Sequence, residues 1–248
     1  MNLQVVVSCE HGGHDVPAQY AACFEGAEEV LLSHRGWDAG ALNLAYLIAN
    51  ACQTPLYFAT TTRLLVELNR SLDAKDLFSE YTGSLSRKQK RELLDRYYHP
   101  YRKEVRTWIR NLRVENKQVL HISVHSFTPE FNGVRRETEI GLLFDPSRSN
   151  ELAFCLAWQE ALQLRLPDRR IDFNQPYAGV DDGFTTALRK RHADAGYLGI
   201  ELEVRNDLLL NAEVLELSHG IVEGLLQAIE KYSPGYGGRP LLSPVVLL

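Results

Sequence analysis

Val5-Val6-Val7-Ser8-Cys9-Glu10-His11 and Leu120-His121-Ile122-Ser123-Val124-His125 decide how this chain folds. Both runs are short, apolar and rich in β-branched residues, as strands buried on two faces are. Both stop on a histidine. A third run, Leu198-Gly199-Ile200-Glu201-Leu202-Glu203-Val204-Arg205, ends in carboxylates and an arginine. In α/β proteins, ligands bind outside the carboxyl ends of the sheet strands. Two imidazoles and a carboxylate delivered to that edge are the makings of a zinc site with a general base.

Apolar spacing predicts a helix over 39–51, short strands at 56–60 and 64–68, and a charged amphipathic helix over 86–115. Ser86 or Ser84 is placed to cap that helix, and Pro100 to kink or divide it. Strands follow at 119–124 and 139–144, helices at 149–163 and 181–192, a strand at 197–204 and a last helix at 211–231. A Pro/Gly-rich tail from Ser233 to Pro240 reads as irregular. Strand and helix alternate throughout, which predicts one α/β sheet sandwiched by helices. No repeat or compositional shift marks a boundary, so residues 1–248 are expected to form one domain.

The apolar fraction of 45% is ordinary for a chain that buries a core. A net charge of -5 and a pI near 5.9 argue against generic nucleic-acid binding, though not against a local basic pocket for a small anion. Cys9, Cys23, Cys52 and Cys155 are widely spaced with no Cys-x-x-Cys pair, as expected of reduced thiols in a cytoplasmic protein. Met1-Asn2-Leu3 leads straight into the first strand without a signal peptide. No apolar run approaches the ~20 residues of a membrane span.

Several segments carry candidate chemistry. Cys9-Glu10-His11-Gly12-Gly13-His14-Asp15 packs two histidines and two carboxylates around a pliable Gly-Gly, either as a polar turn or as a metal-binding loop. His11, where the strand ends, is the better ligand, and His14 is at most a supporting group. Asp38, just before a helix, is either an N-cap or the third zinc ligand. Asn69 and Arg70 follow a buried run and suit recognition of an anion, because a guanidinium grips a carboxylate through two parallel hydrogen bonds. His121, Ser123 and His125 share one strand face; His125 lies at the edge, while His121 reads as a core histidine. Glu203 is the better general base of the 201–205 strand, the alternative being a structural pair with Arg205. Arg135-Arg136 can add positive charge to a pocket or be solvated. Asn174-Gln175-Pro176-Tyr177 reads as a loop of the kind that carries specificity groups. His-Glu-x-x-His, Gly-x-Ser-x-Gly, Gly-x-Gly-x-x-Gly and Walker motifs are all missing, so nucleotide binding has no support.

The ordered set Cys9-Glu10-His11-Gly12-Gly13, His34-Arg35-Gly36-Trp37-Asp38, Glu67-Leu68-Asn69-Arg70, His125-Ser126-Phe127-Thr128-Pro129, Glu139-Ile140-Gly141, Asn174-Gln175-Pro176-Tyr177 and Glu201-Leu202-Glu203-Val204-Arg205 resembles the N-formylglutamate amidohydrolase family. The matching segments span residues 4–210. That family is distantly similar to zinc carboxypeptidases and aspartoacylases. The resemblance implies a three-layer α/β/α fold around a mixed central sheet, of the zinc-carboxypeptidase (phosphorylase/hydrolase-like) kind. It also implies zinc held by His11 and His125, a substrate carboxylate held by Asn69 and Arg70, and Glu203 as catalytic glutamate with Glu201 in support. Carboxypeptidases place a glutamate three residues after the first histidine, where this chain has His14. The third ligand is therefore expected elsewhere, with Asp38 preferred and Asp15 or Glu10 as alternatives.

The expected activity is zinc-dependent hydrolysis of a small, acidic N-acyl amino acid, N-formyl-L-glutamate first, giving formate and the free amino acid. Glu203 and Arg70 form the catalytic set; Arg63 or Arg136 meets a second substrate carboxylate, and Asn174 and Tyr177 line the substrate. The alternatives are a zinc carboxypeptidase-like peptidase and a non-catalytic anion-binding protein on the same scaffold. No nucleic-acid or membrane partner is expected.

Overall fold

Val5, Val6 and Val7 are all shielded from solvent, because both faces of the strand that carries them are covered. That strand, β1 (Leu3–Cys9), precedes a 3-10 turn (Ala18–Phe24), the helices α1 (Glu28–Leu32) and α2 (Ala41–Ala51), and β2 (Leu56–Phe58). Next come α3 (Arg87–Leu93), a π-helical turn (Leu94–Tyr98) and α4 (His99–Val114). Strands β3 (Gln118–Phe127), β4 (Glu130–Phe131), β5 (Val134–Arg135) and β6 (Ile140–Leu143) follow, then α5 (Ser149–Arg165) and β7 (Ile171–Phe173). The chain continues through α6 (Phe184–Arg189), β8 (Tyr197–Arg205), α7 (Asn206–Leu209) and α8 (Val214–Tyr232). This is a computed structural model, and it describes residues 3–234 and 236. The expected irregular tail lies outside the described residues from 237 onward.

The main sheet has the order β2-β1-β3-β8-β6-β7. Its first four strands are parallel, and β6 joins β8 antiparallel while pairing with β7 in parallel. The sheet is therefore mixed, as expected. Val5, Val7 and Cys9 face α2, α5 and α8 in one apolar layer with Ile48, Trp158 and Leu225. Val6 and Val119 face α4 and α6 with Tyr101, Ile109 and Leu188. The three layers follow from strands apolar on both faces, which need helices on each side. The parallel pairing sends the carboxyl ends of β1, β3 and β8 to one edge. Among the described residues no helix is long and apolar enough to cross a membrane.

Several expectations are corrected. Residues 64–68 form no strand but a buried loop, with Leu64 and Leu65 at most 6% exposed. Apolar character alone cannot tell these apart; here side chains, not a neighbouring strand, satisfy the backbone. Thr82 Oγ1 donates to Leu65 O at 3.0 Å, and Arg102 Nη1 donates to Leu68 O and Arg70 O at 2.9 and 2.8 Å. The strand expected to break after His125 continues to Phe127. The helix expected over 181–192 is only Phe184–Arg189. The long helix over 86–115 starts with a Ser86–Gln89 capping box and passes through the π-helical turn. Pro100 falls in the first turn of α4, where its missing N–H costs nothing. The four cysteines are free.

Arg102 is 5% exposed and also lies over the Phe184 ring at 4.3 Å. Arg102→Ala leaves the buried Leu68 carbonyl short of its donor, while the Arg70 carbonyl keeps Tyr98 Oη, so it should destabilise the fold by about 1–3 kcal/mol. Urea denaturation checks this; a loss below about 0.5 kcal/mol, the range of an ordinary surface change, would contradict it.

Candidate active site

Gly12 and Gly13 turn the chain immediately after His11, packed against the 59–60 backbone. A Cβ at Gly13 would stand 2.6 Å from the Thr60 carbonyl oxygen. The loop before α2 returns to this point, where Asp38 N donates to His11 O at 2.9 Å. Gly40, not Asp38, caps α2, so the Asp38 side chain is free for another task. His125 reaches the same place from β3. Ligand atoms of His11, Asp38 and His125 all lie within 4.8 Å of one another, and all three residues are buried.

Both imidazoles aim Nδ1 at one oxygen. Asp38 Oδ2 lies 3.2 Å from His11 Nδ1 and 2.9 Å from His125 Nδ1. Arg63 Nη1 holds the other Asp38 oxygen at 3.1 Å. Both Nε2 atoms point away, towards buried carboxylates. His11 Nε2 meets Glu67 Oε1, and His125 Nε2 lies 2.9 Å from Ser123 Oγ and 3.3 Å from Glu10 Oε2. Histidines that bind metal through one nitrogen commonly donate the other N–H to a carboxylate, which fixes the ring and raises its basicity. Two imidazole nitrogens and a carboxylate oxygen, each braced from behind, fit a zinc ion with a coordination position left open.

The electrostatics agree. Burial opposes a charge on His125, but hydrogen bonds to Asp38 and Glu10 outweigh it and hold its pKa well above the usual value. Burial opposes the Asp38 carboxylate too; the His11 charge, both imidazole hydrogen bonds and Arg63 bring its pKa well below the carboxylate range. The raised pKa favours a protonated His125, which then donates from Nδ1 to Asp38.

Glu203 lies beside His125, its direct partner across β3 and β8. It is 5% exposed, and its Oε2 has no hydrogen-bond partner. Burial, with the nearby charges of Asp38 and Glu201, raises its pKa to about 8, against the pull of His125 and Arg63. Its partner on β6 is Gly141, where a Cβ would stand 2.0 Å from Gln175 O. Only glycine admits the 174–179 loop so close to this carboxylate.

Asn69, Arg70, Arg63, His34, Phe131, Tyr177, Glu201 and Glu203 line one cavity of about 480 Å³ together with the three candidate ligands. That volume is within the roughly 300–1,000 Å³ of small-molecule sites. Asn69 Oδ1 accepts from Phe184 N at 2.6 Å, and Arg70 bonds Asp76 at 3.0 Å and the Asp182 carbonyl at 3.2 Å. Arg136 stands behind Tyr177, donating to its hydroxyl at 3.1 Å. Asn174 is not brought to the cavity: its left-handed turn aims Oδ1 at the backbone N–H groups of Phe144 and Gly179, at 3.1 and 2.9 Å. Asp15 is exposed, and Glu10 lies on the Nε2 side of His125 rather than with Asp38, accepting from Tyr101 and Ser123 at 2.8 and 2.6 Å. His121 bonds Ser8 and Tyr197, both at 2.8 Å, and burial lowers its pKa to about 4.

The sequence reading missed Glu67 and Glu10 as the groups behind the two histidines, and Tyr101 and Ser123 as the donors to Glu10. Glu67 precedes Leu68-Asn69-Arg70 in the sequence, but its contact with His11 spans 56 positions and no local spacing encodes it.

A sequence model of the N-formylglutamate amidohydrolase family matches residues 3–210. No curated protein matches the chain in sequence. Among solved structures, gene product Atu2144 from Agrobacterium tumefaciens is similar at 27% identity and a TM-score of 0.79, over 92% of this chain and 91% of that one. An N-formylglutamate amidohydrolase from Ralstonia eutropha JMP134 shares the fold at 17% identity and a TM-score of 0.67, over 91% of this chain and 93% of that one.

Zinc loading of metal-free protein at pH 7 should release protons, because the raised pKa leaves His125 protonated there and the ion displaces that proton. Calorimetric titration in buffers of different ionisation enthalpy reads that release. Binding near one ion per chain, lost in Asp38→Ala, is expected. Equal enthalpies in all buffers, or full binding by Asp38→Ala, would contradict the assignment.

Proposed function

This chain belongs to the N-formylglutamate amidohydrolase family, and from that premise we propose that it is a zinc-dependent enzyme cleaving the amide of a small N-formyl amino acid, N-formyl-L-glutamate first. One observation carries the chemistry: the Glu203 carboxylate is buried beside His125, lines the same cavity as the candidate ligands, and leaves Oε2 without a partner. A buried acceptor without a donor costs free energy, and such costs are tolerated where the group has work to do.

His11, Asp38 and His125 would hold the ion, through Nδ1 of each imidazole and one Asp38 oxygen. Zinc supplies Lewis acidity towards a carbonyl oxygen and a water in such a site. The protein's own groups do the rest. With a dication held beside it, Glu203 would lose its raised pKa and would enter the reaction as carboxylate. Glu203 accepts a proton from the attacking water as the new C–O bond forms. It returns that proton to the amide nitrogen as the C–N bond breaks, releasing formate and the amine. Arg70 and the Asn69 amide nitrogen hold the α-carboxylate of the substrate. Arg70 is suited to exchange partners, since its present one, Asp76, is 65% exposed in its side chain and the pair is weak in water.

Glu203→Gln should keep its zinc and lose roughly 10²–10⁴-fold in kcat on N-formyl-L-glutamate. A zinc-loaded variant of full activity would remove Glu203 as the base. Arg70→Met should act differently, raising KM by about tenfold or more with a smaller change in kcat, as the loss of a charged hydrogen bond to substrate requires. Steady-state kinetics on both variants separate the two roles.

A further inference from the structure

Away from the candidate active site, a second hollow of about 500 Å³ opens between α4 and the turn that follows α6. Lys103, Arg106, Thr107 and Arg110 form one wall, at the three- and four-residue spacing that puts them on one face of α4. Arg191 and His192 form the other wall. The two hollows share no residue. No carboxylate lines this one. Glu104, the one acid within α4, lines a neighbouring groove with Tyr57 and Trp108 instead.

The chain carries more acid than base, 32 Asp and Glu against 27 Lys and Arg. Several other surface cations are answered by an acid: Arg165 by Glu223, Arg169 by Glu213 and Lys231 by Glu160. Among the described residues, Lys103, Arg106, Arg110 and Arg191 pair with none. Like charges three and four positions apart destabilise a helix, so this face of α4 lacks the anion that would offset them. Both walls are held in place. Arg106 Nε donates to the Arg102 carbonyl at 3.0 Å, leaving its two terminal nitrogens without an acceptor. Arg148 donates to the His192 carbonyl at 3.3 Å and fixes the turn. His192 registers the positive field: after burial, the charges of Arg113, Arg191 and Arg148 hold its pKa below the usual value.

We propose that this hollow is a binding site for a small phosphorylated molecule carrying at least two negative charges. A tetrahedral phosphate accepts hydrogen bonds from several directions at once. Here guanidinium groups on two separate elements, an ammonium and the Thr107 hydroxyl converge on one space. A planar carboxylate is satisfied by a single guanidinium fork and needs no such convergence. The volume is within the roughly 300–1,000 Å³ of small-molecule sites. A confined basic hollow on a chain of net charge -5 does not offer the extended track that nucleic acid requires. The site stands apart from the proposed amide hydrolysis and is tested without it.

The test titrates inorganic phosphate into the isotope-labelled full chain at low salt and follows the amide resonances of 103–110 and 190–192 by NMR. They should shift together and saturate with a Kd of about 1 mM or less. Succinate, also a dianion, should bind there at least about tenfold more weakly. Arg110→Gln and Arg191→Gln, one exposed cation from each wall, should each weaken phosphate binding by roughly tenfold or more, the value of a charged hydrogen bond. Lys88→Gln, which removes an exposed charge elsewhere on the surface, should leave it unchanged. No shift at these residues by about 10 mM phosphate, full binding by either arginine variant, or an equal loss in Lys88→Gln would overturn the proposal. Succinate binding as tightly as phosphate would overturn the assignment of the ligand as phosphorylated.

Discussion

One carboxylate oxygen, Asp38 Oδ2, lies between the Nδ1 atoms of His11 and His125, and the arrangement around it depends on that contact. These three residues come from just past one strand end, a pre-helix loop and the carboxyl end of another strand, with 27 and 87 positions between the bonded pairs. Each imidazole can present Nδ1 only because its Nε2 is taken, by Glu67 in one case and by Glu10 with Ser123 in the other. Arg63 then closes the circuit by bonding both Asp38 and Glu67. The result is a donor set whose geometry is fixed from behind rather than by the ligands themselves.

Such a cluster is costly. Glu10, His11, Asp38, Glu67, His125 and Glu203 are each at most 5% exposed, and burying charge is unfavourable unless partners compensate. Five of the six have those partners. Glu203 Oε2 has none, and that oxygen carries the uncompensated cost of burial. The surrounding sheet can bear it: its apolar strands, helix-covered on both faces, supply the stability that the edge gives up.

The three runs that become β1, β3 and β8 were legible in the sequence because strands buried on both faces read as unbroken apolar stretches. The edge residues they deliver, His11, His125 and Glu203, followed from the two-residue period. Residues 64–68 mislead for the same reason: apolar except for Glu67, they are nevertheless a buried loop whose carbonyls are met by Thr82 and Arg102. Asp38 was legible as a candidate, while the choice between cap and ligand depended on Gly40 taking the cap. Glu67 and Glu10 were not legible as supports for the histidines, because such contacts are tertiary and span 56 and 115 positions. Arg63 and Arg136 looked alike in sequence; only their partners separate them.

The most direct measurement is an anomalous difference map at the zinc edge from a crystal of the zinc-loaded protein. The account predicts one strong peak, bonded to Nδ1 of His11, Nδ1 of His125 and a carboxylate oxygen of Asp38, with Glu67 and Glu10 still on the Nε2 sides. A peak on the Nε2 sides, one that excludes Asp38, or none at saturating zinc would contradict it.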